Sequence, residues 1–416
     1  MNRMDGNLAR CRRVAALLLA LLMCVCVGAA AGEPDSLIIQ RARLLAERFI
    51  VVDTHIDAPY RFLDSVGNIA GRTADGDFDY DRAREGGLDV PFMSIYTPSE
   101  LEGTGRSIHL ADSLIDAVYR LARLKPEKFA VVTSVDQVTK EAGKGKILMA
   151  LGMENGSPIE AKLGNVKYFF DRGIRYITLA HAKCNHLADG SYDTVRRWKG
   201  LSPFGAQVVV EMNRRGIMID ISHLTDSAVV QILRISKAPV IASHSSCRFF
   251  TPGFERNLSD QLIRAVAATG GVVQINFGAS FIDNDFRREE DRERQEVDAH
   301  IASHHWAPYT KEAQAYRQEY RHTHPLRFPD ITKVADHFDH IAKLVGVEYL
   351  GFGSDFDGVG DTLPLGLKDV SQYPNLIAEL LRRGYSETDV QKICGGNLLR
   401  VWKAVEQVAQ QMGAAE

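Results

Sequence analysis

The sequence predicts an α/β protein, a (β/α)8 TIM barrel with a helical insertion after its seventh strand. Eight short apolar segments of β-prone residues alternate with longer segments of helical periodicity. These apolar segments are nearly continuous, which is typical of parallel strands that are buried on both faces. Eight such repeats favour a closed barrel over an open sheet, and no G-x-G-x-x-G motif follows the first strand to indicate a dinucleotide fold.

The elements can be placed in order along the chain. An amphipathic helix at 36–48 precedes the first strand, and the long connection from 96 to 147 must hold helical structure of its own. The helix at 203–215 has a well-defined start, because Ser202 can cap it and Pro203 suits its first turn. The predicted strands are 49–57, 89–96, 147–153, 175–181, 217–222, 240–244, 271–277 and 350–355. The other predicted helices are 112–124, 225–235, 333–345, 373–383, 386–394 and 397–410.

The segment 283–330 interrupts the regular alternation and carries a dense mixture of charges, above all from Arg287 to Arg294. Mixed charge at this density predicts a solvent-exposed helical insertion. The segment follows the seventh strand, on the barrel face where active sites lie, so one interpretation is a lid. The interpretation we favour is a solvated helix pair with no catalytic part.

The first residues predict an export signal at residues 1–31. Arg10, Arg12 and Arg13 precede an apolar run at 14–27, and small residues follow at 29–31. We therefore expect a periplasmic or secreted protein whose barrel domain occupies 36–410; an uncleaved membrane anchor is the alternative. The end of the sequence shows no apolar tail, so a GPI anchor is not expected.

Charge and cysteine content narrow the class of protein. The net charge of −3 gives no electrostatic reason to expect a nucleic-acid partner. Beyond the leader, Cys184, Cys247 and Cys394 leave at least one thiol unpaired within a monomer, and no C-x-x-C motif indicates a cysteine zinc site. The sequence leaves the oligomeric state open, a homodimer being one possible assembly.

Side chains that can bind metal end most of the predicted strands. In a barrel these carboxyl ends converge on one face, so four histidines and three carboxylates would share a common volume. Histidine and carboxylate together suit a divalent metal such as zinc. The residues are His55, Asp57, Glu154, His181, His223, His244 and Asp355.

This set is larger than one zinc ion can use, because a catalytic zinc has about four ligands with one position left for water. We therefore expect two ions per subunit, bridged by a carboxylate such as Glu154. A hydroxide held between them would be the nucleophile, and Asp355 would hold the attacking water and move its proton.

The motifs at these strand ends resemble the membrane (renal) dipeptidase family, peptidase family M19, within the amidohydrolase-like metal-dependent hydrolases. The resemblance extends from about residue 38 to residue 407 with the motifs in the family's order. The matching stretches are DTHID at 53–57, GMENG at 152–156, RYITLAH at 175–181, IDISH at 219–223, APVIASHSS at 238–246, RN at 256–257 and GFGSDFDG at 351–358.

The resemblance implies an exported dizinc dipeptidase that hydrolyses free dipeptides. Dipeptides with a C-terminal D-residue are a further candidate class of substrate. It implies that Glu154 bridges the two zinc ions and that Asp355 lies over the metal-bound water. It further implies that His181 and Arg256 contact the substrate, with Arg256 suited to grip the free carboxylate. The implied ligands are His55 and Asp57 for one ion, and His223 and His244 for the other.

Two rival functions remain in view. A related metal-dependent amidohydrolase could act on N-acyl amino acids, but such enzymes typically open with His-x-His where this chain has His55 and Asp57. A metal- or peptide-binding module without turnover is disfavoured by the complete ligand set and Asp355. Departures from the family at 180, 183–184 and 276–278, and the charged insertion, put substrate preference in question rather than the metal chemistry.

Several other histidines are not expected in the site. His337 and His340 lie on a helix outside the barrel and should face away from the metals. His186 is a candidate for the border of the pocket. The histidines at 304, 305, 322 and 324 fall in the charged insertion and should be solvated.

Overall fold

Parallel strands form the centre of the structure, a computed structural model that describes residues 34–65, 68–307 and 309–414. The described residues contain nine strands: Val51–Ile56 (β1), Leu88–Tyr96 (β2), Phe129–Val131 (β3), Ile147–Glu154 (β4), Ile174–Thr178 (β5), Met218–Asp220 (β6), Ile241–Ala242 (β7), Val272–Ile275 (β8) and Leu350–Phe352 (β9).

Eight of these strands close into a barrel. The pairs β1–β2, β2–β4, β4–β5 and so on to β8–β9 are all parallel, and β9 pairs with β1 through Phe352 and Asp53 to complete the ring. The predicted barrel is therefore confirmed, with all eight of its strands. The sequence did not predict β3, which pairs with the first three residues of β4 before β2 takes over that edge.

Helices surround the ring. The described α-helices are Asp35–Arg48 (α1), Pro59–Ser65 (α2), Tyr80–Glu85 (α3), Arg106–Leu124 (α4), Val135–Glu141 (α5), Gly164–Asp171 (α6), Pro203–Arg215 (α7), Asp226–Ile235 (α8), Asp260–Ala268 (α9), Ala279–Ile282 (α10), Asn284–Ser303 (α11), Lys311–Thr323 (α12), Ile331–Val345 (α13), Tyr373–Arg382 (α14), Glu387–Gln391 (α15) and Asn397–Ala414 (α16). The described residues divide into two units, with the boundary between residues 40 and 41. Helix α7 starts as predicted, because the Ser202 hydroxyl accepts a hydrogen bond from the Gly205 amide. The predicted helix at 386–394 is instead α15 followed by a π-helical turn, Lys392–Gly396.

Large side chains fill the barrel interior at the end opposite the carboxyl-terminal strand ends. Val52, Phe92 and Tyr176 are fully or almost fully buried there, and the Trp402 ring of α16 packs edge-on against Phe92 at 5.3 Å between centroids. Because large side chains fill this end, the barrel is a packed core rather than a channel. The open end is left for polar residues.

The predicted helical insertion follows β8, the seventh strand of the ring. Helices α11 and α12 pack on each other through a small apolar cluster of their own, built on Val297, Ile301 and Ala313 with aromatic neighbours. The outer faces of both helices are charged, which agrees with the solvated pair that the composition predicts.

The structure leaves the prediction about the start of the chain untested. The predicted signal at residues 1–31 lies outside the described residues. Within the part of the chain that is described, no helix is both long enough and apolar enough to cross a bilayer. The cysteines Cys184, Cys247 and Cys394 are unpaired.

Candidate metal centre

The predicted ligands meet at the carboxyl-terminal end of the barrel. His55 lies in β1 and Glu154 is the last residue of β4. The others lie one to three residues past strand ends: Asp57 after β1, His181 after β5, His223 after β6, His244 after β7 and Asp355 after β9. The structure therefore brings all seven predicted residues together, from six different strands.

Glu154 occupies the centre of this group, and its two carboxylate oxygens face opposite sides. Oε2 lies 3.4 Å from Nε2 of His55. Oε1 lies 3.0 Å from Nε2 of His223 and 3.4 Å from Nε2 of His244. The carboxylate thus divides the histidines into two sets, as a bridging ligand would.

His244 is held in the tautomer that a metal ligand needs. Its Nδ1 lies 2.7 Å from the Ser243 hydroxyl, and that hydroxyl donates to the Asp220 carboxylate at 2.6 Å. Because a hydroxyl has only one proton to donate, Ser243 must accept from Nδ1–H of His244. The Nε2 atom that faces Glu154 therefore carries a lone pair.

His55 and His223 present their Nε2 atoms in the same way. Nε2 of His55 is buried without a hydrogen-bond partner, while Nδ1 lies 2.7 Å from the Tyr176 hydroxyl. Nε2 of His223 lies 2.9 Å from Nη2 of Arg256, which can only donate, so this nitrogen is also an acceptor. It lies 2.8 Å from Nε2 of His244. Two ring lone pairs at this separation repel unless a cation lies beside both.

Electrostatics favour the same protonation states. Burial lowers the pKa of both His223 and His244 well below that of an ordinary imidazole, and the charge of Arg256 lowers each further. Burial would raise the pKa of Glu154, but the neighbouring His55 and the other site histidines hold it well below its usual value. The site therefore contains two neutral imidazoles, His223 and His244, beside an ionised carboxylate, the forms that bind a metal. His55 differs, because burial lowers its pKa but Tyr176, Glu154 and Asp57 outweigh burial and raise that pKa well above its usual value.

The pKa of Asp355 is shifted in the opposite direction from that of Glu154. Burial raises its pKa, and the nearby carboxylates of Asp57 and Glu154 raise it further. Its Oδ2 accepts a hydrogen bond of 2.7 Å from the Asn276 amide, while Oδ1 faces His55 at 4.0 Å. One oxygen is thus fixed and the other is directed into the site.

Two of these side chains are directed into the site by strained backbone conformations. His223 has φ of 68° and Asp355 has φ of 66°, in the left-handed region that non-glycine residues rarely adopt. Gly358 is required for room, because a Cβ there would lie 2.2 Å from Oδ2 of Asp57 and 2.4 Å from Oδ1 of Asp355. Such local cost is typical of functional sites, where the surrounding fold over-determines the conformation.

The donor atoms fit divalent cations. They form three overlapping groups, in each of which the ligand atoms lie within 4.8 Å of one another. The groups are His55 with Asp57 and Glu154, His55 with His244 and Asp355, and Glu154 with His181 and His223. Because these groups share residues, they form one extended site with more donors than a single ion of the zinc type uses.

A cavity of about 640 Å³ opens over this site. Its walls include Tyr60, Tyr96, Tyr192 and Phe281, and it also receives Glu290 from α11. The insertion therefore supplies part of the cavity wall, which the interpretation as a wholly solvated helix pair did not anticipate.

Arg256 lies beside the metal centre and is only 2% exposed. Its Nη1 donates to the Ser245 hydroxyl at 2.7 Å, and its guanidinium lies 5.2 Å from the centre of the Phe281 ring. Arg248, which has the same residue type and is only eight positions earlier, instead forms an ion pair with Asp226 away from the site. A buried guanidinium that forms no ion pair with a carboxylate among the described residues is suited to bind an anionic group.

The remaining histidines have structural partners. His337 is buried and lies 3.0 Å from the Cys247 amide, and His340 lies 2.7 Å from Asp260, so neither faces the metal centre. The histidines at 304, 305, 322 and 324 are exposed, as predicted. His186 pairs with Glu102 at 2.7 Å and is not among the residues that line the cavity.

Sequence reasoning missed the residues that orient the ligands. Asp220, Ser243, Tyr176 and Asn276 look like ordinary strand residues, because their role depends on contacts across neighbouring strands. The one usable signal was the Asp-x-Ser-His sequence at 220–223, which places an acid three residues before the histidine.

Comparison with known proteins agrees with this geometry. The model of the membrane dipeptidase family (peptidase family M19) matches residues 39–416. Dipeptidase 3 of Mus musculus is 31% identical over 380 residues, 89% of this chain and 67% of that protein. An uncharacterized dipeptidase of Schizosaccharomyces pombe is 32% identical over 383 residues, 88% of this chain and 83% of that protein. The crystal structure of the probable dipeptidase PvdM from Pseudomonas aeruginosa is 26% identical with a TM-score of 0.79, covering 91% of this chain and 100% of that one. The chain belongs to the membrane dipeptidase family, peptidase family M19.

Proposed function

We propose that this metallodipeptidase binds two zinc ions per subunit and hydrolyses the peptide bond of free dipeptides. The observation that carries the proposal is the placement of Glu154, whose Oε2 faces His55 and whose Oε1 faces His223 and His244, at 3.0–3.4 Å. One carboxylate between two ligand sets is the arrangement that two-metal hydrolases use. Histidine and carboxylate donors at this spacing suit zinc.

The two ions would be held by five residues: His55, Asp57, Glu154, His223 and His244. Bound divalent ions supply Lewis acidity, which lowers the pKa of water and polarises a carbonyl oxygen. Asp355 then acts as the proton carrier, because Asn276 fixes one of its oxygens and the other faces the site. Its raised pKa matches a group that must both take up and release a proton.

The substrate would be held at both its carbonyl and its carboxylate. His181 lies with Nε2 3.5 Å from Oε1 of Glu154, at the edge of the ligand group, and can donate to the oxygen that gains charge. Arg256 can grip the free C-terminal carboxylate of a dipeptide. The cavity of about 640 Å³ leaves room for either configuration at the second residue, so we include dipeptides with a C-terminal D-residue.

Purified protein tests the proposal through its metal content and its substrates. We expect about two zinc ions per chain and release of both amino acids from a panel of unblocked dipeptides. N-acyl amino acids, the alternative substrate class, should be cleaved far more slowly. Tight zinc binding without hydrolysis of any dipeptide would refute the proposal, and faster cleavage of N-acyl amino acids would favour the alternative.

A matched pair of arginine variants tests the carboxylate site. Arg256→Ala should lower kcat/KM for free dipeptides by about 100-fold or more, because a buried charge-assisted contact with the substrate is worth about 3 kcal/mol. Arg264→Ala removes the same charge from an exposed position on α9, where the guanidinium donates to the Leu344 carbonyl at 2.9 Å, and should leave kcat/KM within about twofold. Equal activity of the unmodified protein on free and C-terminally amidated dipeptides would show that Arg256 does not bind the carboxylate.

We also propose that the protein is exported to the periplasm or the medium. The support is the leader itself, in which arginines, an apolar run and small residues follow one another as in a secretory signal. N-terminal sequencing of the protein from the exported fraction should find a chain that begins just after residue 31. An intact N-terminus in the membrane fraction would indicate an uncleaved anchor instead.

A further inference from the structure

Glu290 brings a carboxylate from the charged insertion into the wall of the active-site cavity. It lies on α11, two turns after that helix begins, and lines the cavity together with Ser280 and Phe281 of α10. Its near neighbour Glu289 lines a different cavity with Arg292 and Arg327, on another side of the helix. Of these two adjacent glutamates, only Glu290 faces the substrate space.

Three arginines close to Glu290 in the insertion are already paired with another acid. Arg287 and Arg294 both pair with Asp291. Arg321 of α12 pairs with Glu293 at 2.6 Å. Among the described residues no basic side chain forms an ion pair with Glu290.

The surroundings of Glu290 therefore compensate its charge only in part, because Arg294 and Arg321, which act on it, are each paired with another acid. Burial raises the pKa of its carboxyl, and Arg294 and Ser280 offset this rise only in part. A partly buried carboxylate without a cation gains most from a cation that enters with the ligand.

The cavity wall places Glu290 on the Arg256 side of the site. Phe281, adjacent in sequence to Ser280, lies against the Arg256 guanidinium at 5.2 Å. The Tyr192 ring lies 6.1 Å from the His223 ring, which contacts Arg256. Partial burial raises the pKa of Tyr192, Arg256 lowers it and Glu290 raises it, so both charges act on this one ring.

We propose that Glu290 makes the enzyme prefer dipeptides whose C-terminal residue has a basic side chain, lysine or arginine. The assignment rests on the proposed function, because it takes Arg256 as the site of the substrate carboxylate. With the carboxylate held there, the side chain of the same residue extends along the neighbouring wall. Its hydrocarbon part packs on Phe281 and Tyr192, and its cation reaches Glu290.

Four dipeptides and two variants test this assignment. The substrates are Ala-Lys, Ala-Gln, Ala-Glu and Lys-Ala, which vary the charge at the second position and move the lysine to the first. The variants are Glu290→Gln and, as the matched control, Glu289→Gln, which removes the same charge from the same helix on another side. The measurement is kcat/KM for each pair, with melting temperatures to confirm that each variant is folded.

We expect the unmodified enzyme to prefer Ala-Lys over Ala-Gln by about tenfold and to disfavour Ala-Glu, since a partly buried ion pair contributes about 1.4 kcal/mol. Glu290→Gln should bring the Ala-Lys to Ala-Gln ratio close to one, chiefly through KM, and Glu289→Gln should retain the preference. The comparison of substrates on the unmodified enzyme keeps the assignment testable even if a variant does not fold.

Three outcomes would overturn the assignment. One is equal kcat/KM for Ala-Lys and Ala-Gln in the unmodified enzyme. Another is a preference for Lys-Ala that Glu290→Gln abolishes, which would place Glu290 at the first residue of the substrate. A third is an equal loss on all four dipeptides, which would mean that Glu290 binds the α-ammonium group. Failure to cleave any of the four would refute the proposed function itself, whereas cleavage without discrimination refutes only the role of Glu290.

Discussion

At the residue scale, His55, His244 and Asp355 are each oriented by a neighbouring residue that does not itself face the metals. Ser243 illustrates this best, because its hydroxyl accepts a hydrogen bond from Nδ1–H of His244 and donates one to the Asp220 carboxylate at 2.6 Å. Such contacts to ligating histidines fix the ring and its tautomer. The metal affinity of the site should therefore depend on residues that no list of ligands includes.

Ser243→Ala should weaken metal binding without removing a ligand. His244 then loses the acceptor for Nδ1–H, so its other tautomer and other ring orientations become accessible. The loss of such a contact typically lowers metal affinity 10- to 100-fold, or about 1.4–2.8 kcal/mol. The measurement is competition for zinc with a chelator of known affinity.

Ser246→Ala is the control for this change. Ser246 is also buried, three residues away, but its hydroxyl donates to the Asn276 carbonyl at 2.9 Å rather than accepting from a histidine. Both variants lose one buried hydroxyl, so they should be destabilised to a similar extent. If Ser246→Ala loses zinc as readily as Ser243→Ala does, the tautomer argument is wrong.

The location of the candidate ligands was easier to predict from the sequence than that of the residues that orient them, for a physical reason. A histidine or carboxylate just past an apolar strand can be recognised locally, because parallel strand ends converge in a barrel. Ser243 and Asp220 act across the gap between two strands, and that contact depends on the register of β6 against β7. Register is a tertiary property that one strand alone does not encode.

At the scale of elements, the insertion has a core of its own. Val297, Ile301 and Ala313 are almost fully buried between α11 and α12, although the two helices are highly charged outside. A small cluster of this kind fixes the helix pair locally. It thereby also fixes the direction in which Glu290 points.

Ile301→Ala should loosen the helix pair and leave the barrel intact. Removing a buried isoleucine side chain costs about 2–3 kcal/mol, and here the loss falls on a satellite cluster rather than on the main core. Hydrogen–deuterium exchange should accelerate across residues 284–323 and stay unchanged in the barrel strands. Tyr309→Ala is the control, because Tyr309 lies in the same insertion but is 81% exposed. Equal acceleration in the strands would show that the insertion and the barrel unfold as one unit.

Helices and strands were predicted well where the periodic segment was long and less well where it was short. Helices α7 and α13 were recognised from capping and amphipathic spacing. Strand β3 was missed because three residues give too little alternation to detect. The charge of the insertion was evident, but which side of α11 would face the cavity depends on how α11 packs on α10 and α12.

At the scale of the whole molecule, the metal centre joins parts of the chain that are far apart in sequence. The five proposed ligands extend from His55 to His244 and come from β1, β4, β6 and β7. Without cations, the carboxylates of Asp57, Glu154 and Asp355 face one another at the mouth of a buried site. Metal binding should therefore stabilise the closed ring, since ions that bind only the folded chain shift its unfolding equilibrium.

Removal of the ions should lower the melting temperature of the protein, and Glu154→Gln provides the control. For each ion at about 1,000 times its Kd the linkage is worth about 4 kcal/mol, so the loss of both ions corresponds to a shift on the order of 10 °C for a chain of this size. Calorimetry before and after treatment with a chelator measures the shift, and added zinc should restore the original temperature. Glu154→Gln, which lacks the shared carboxylate, should lose both ions together, melt lower from the outset and respond little to the chelator. An unchanged melting temperature in protein shown to be metal-free would mean that the barrel closes through its strand pairs and apolar core alone.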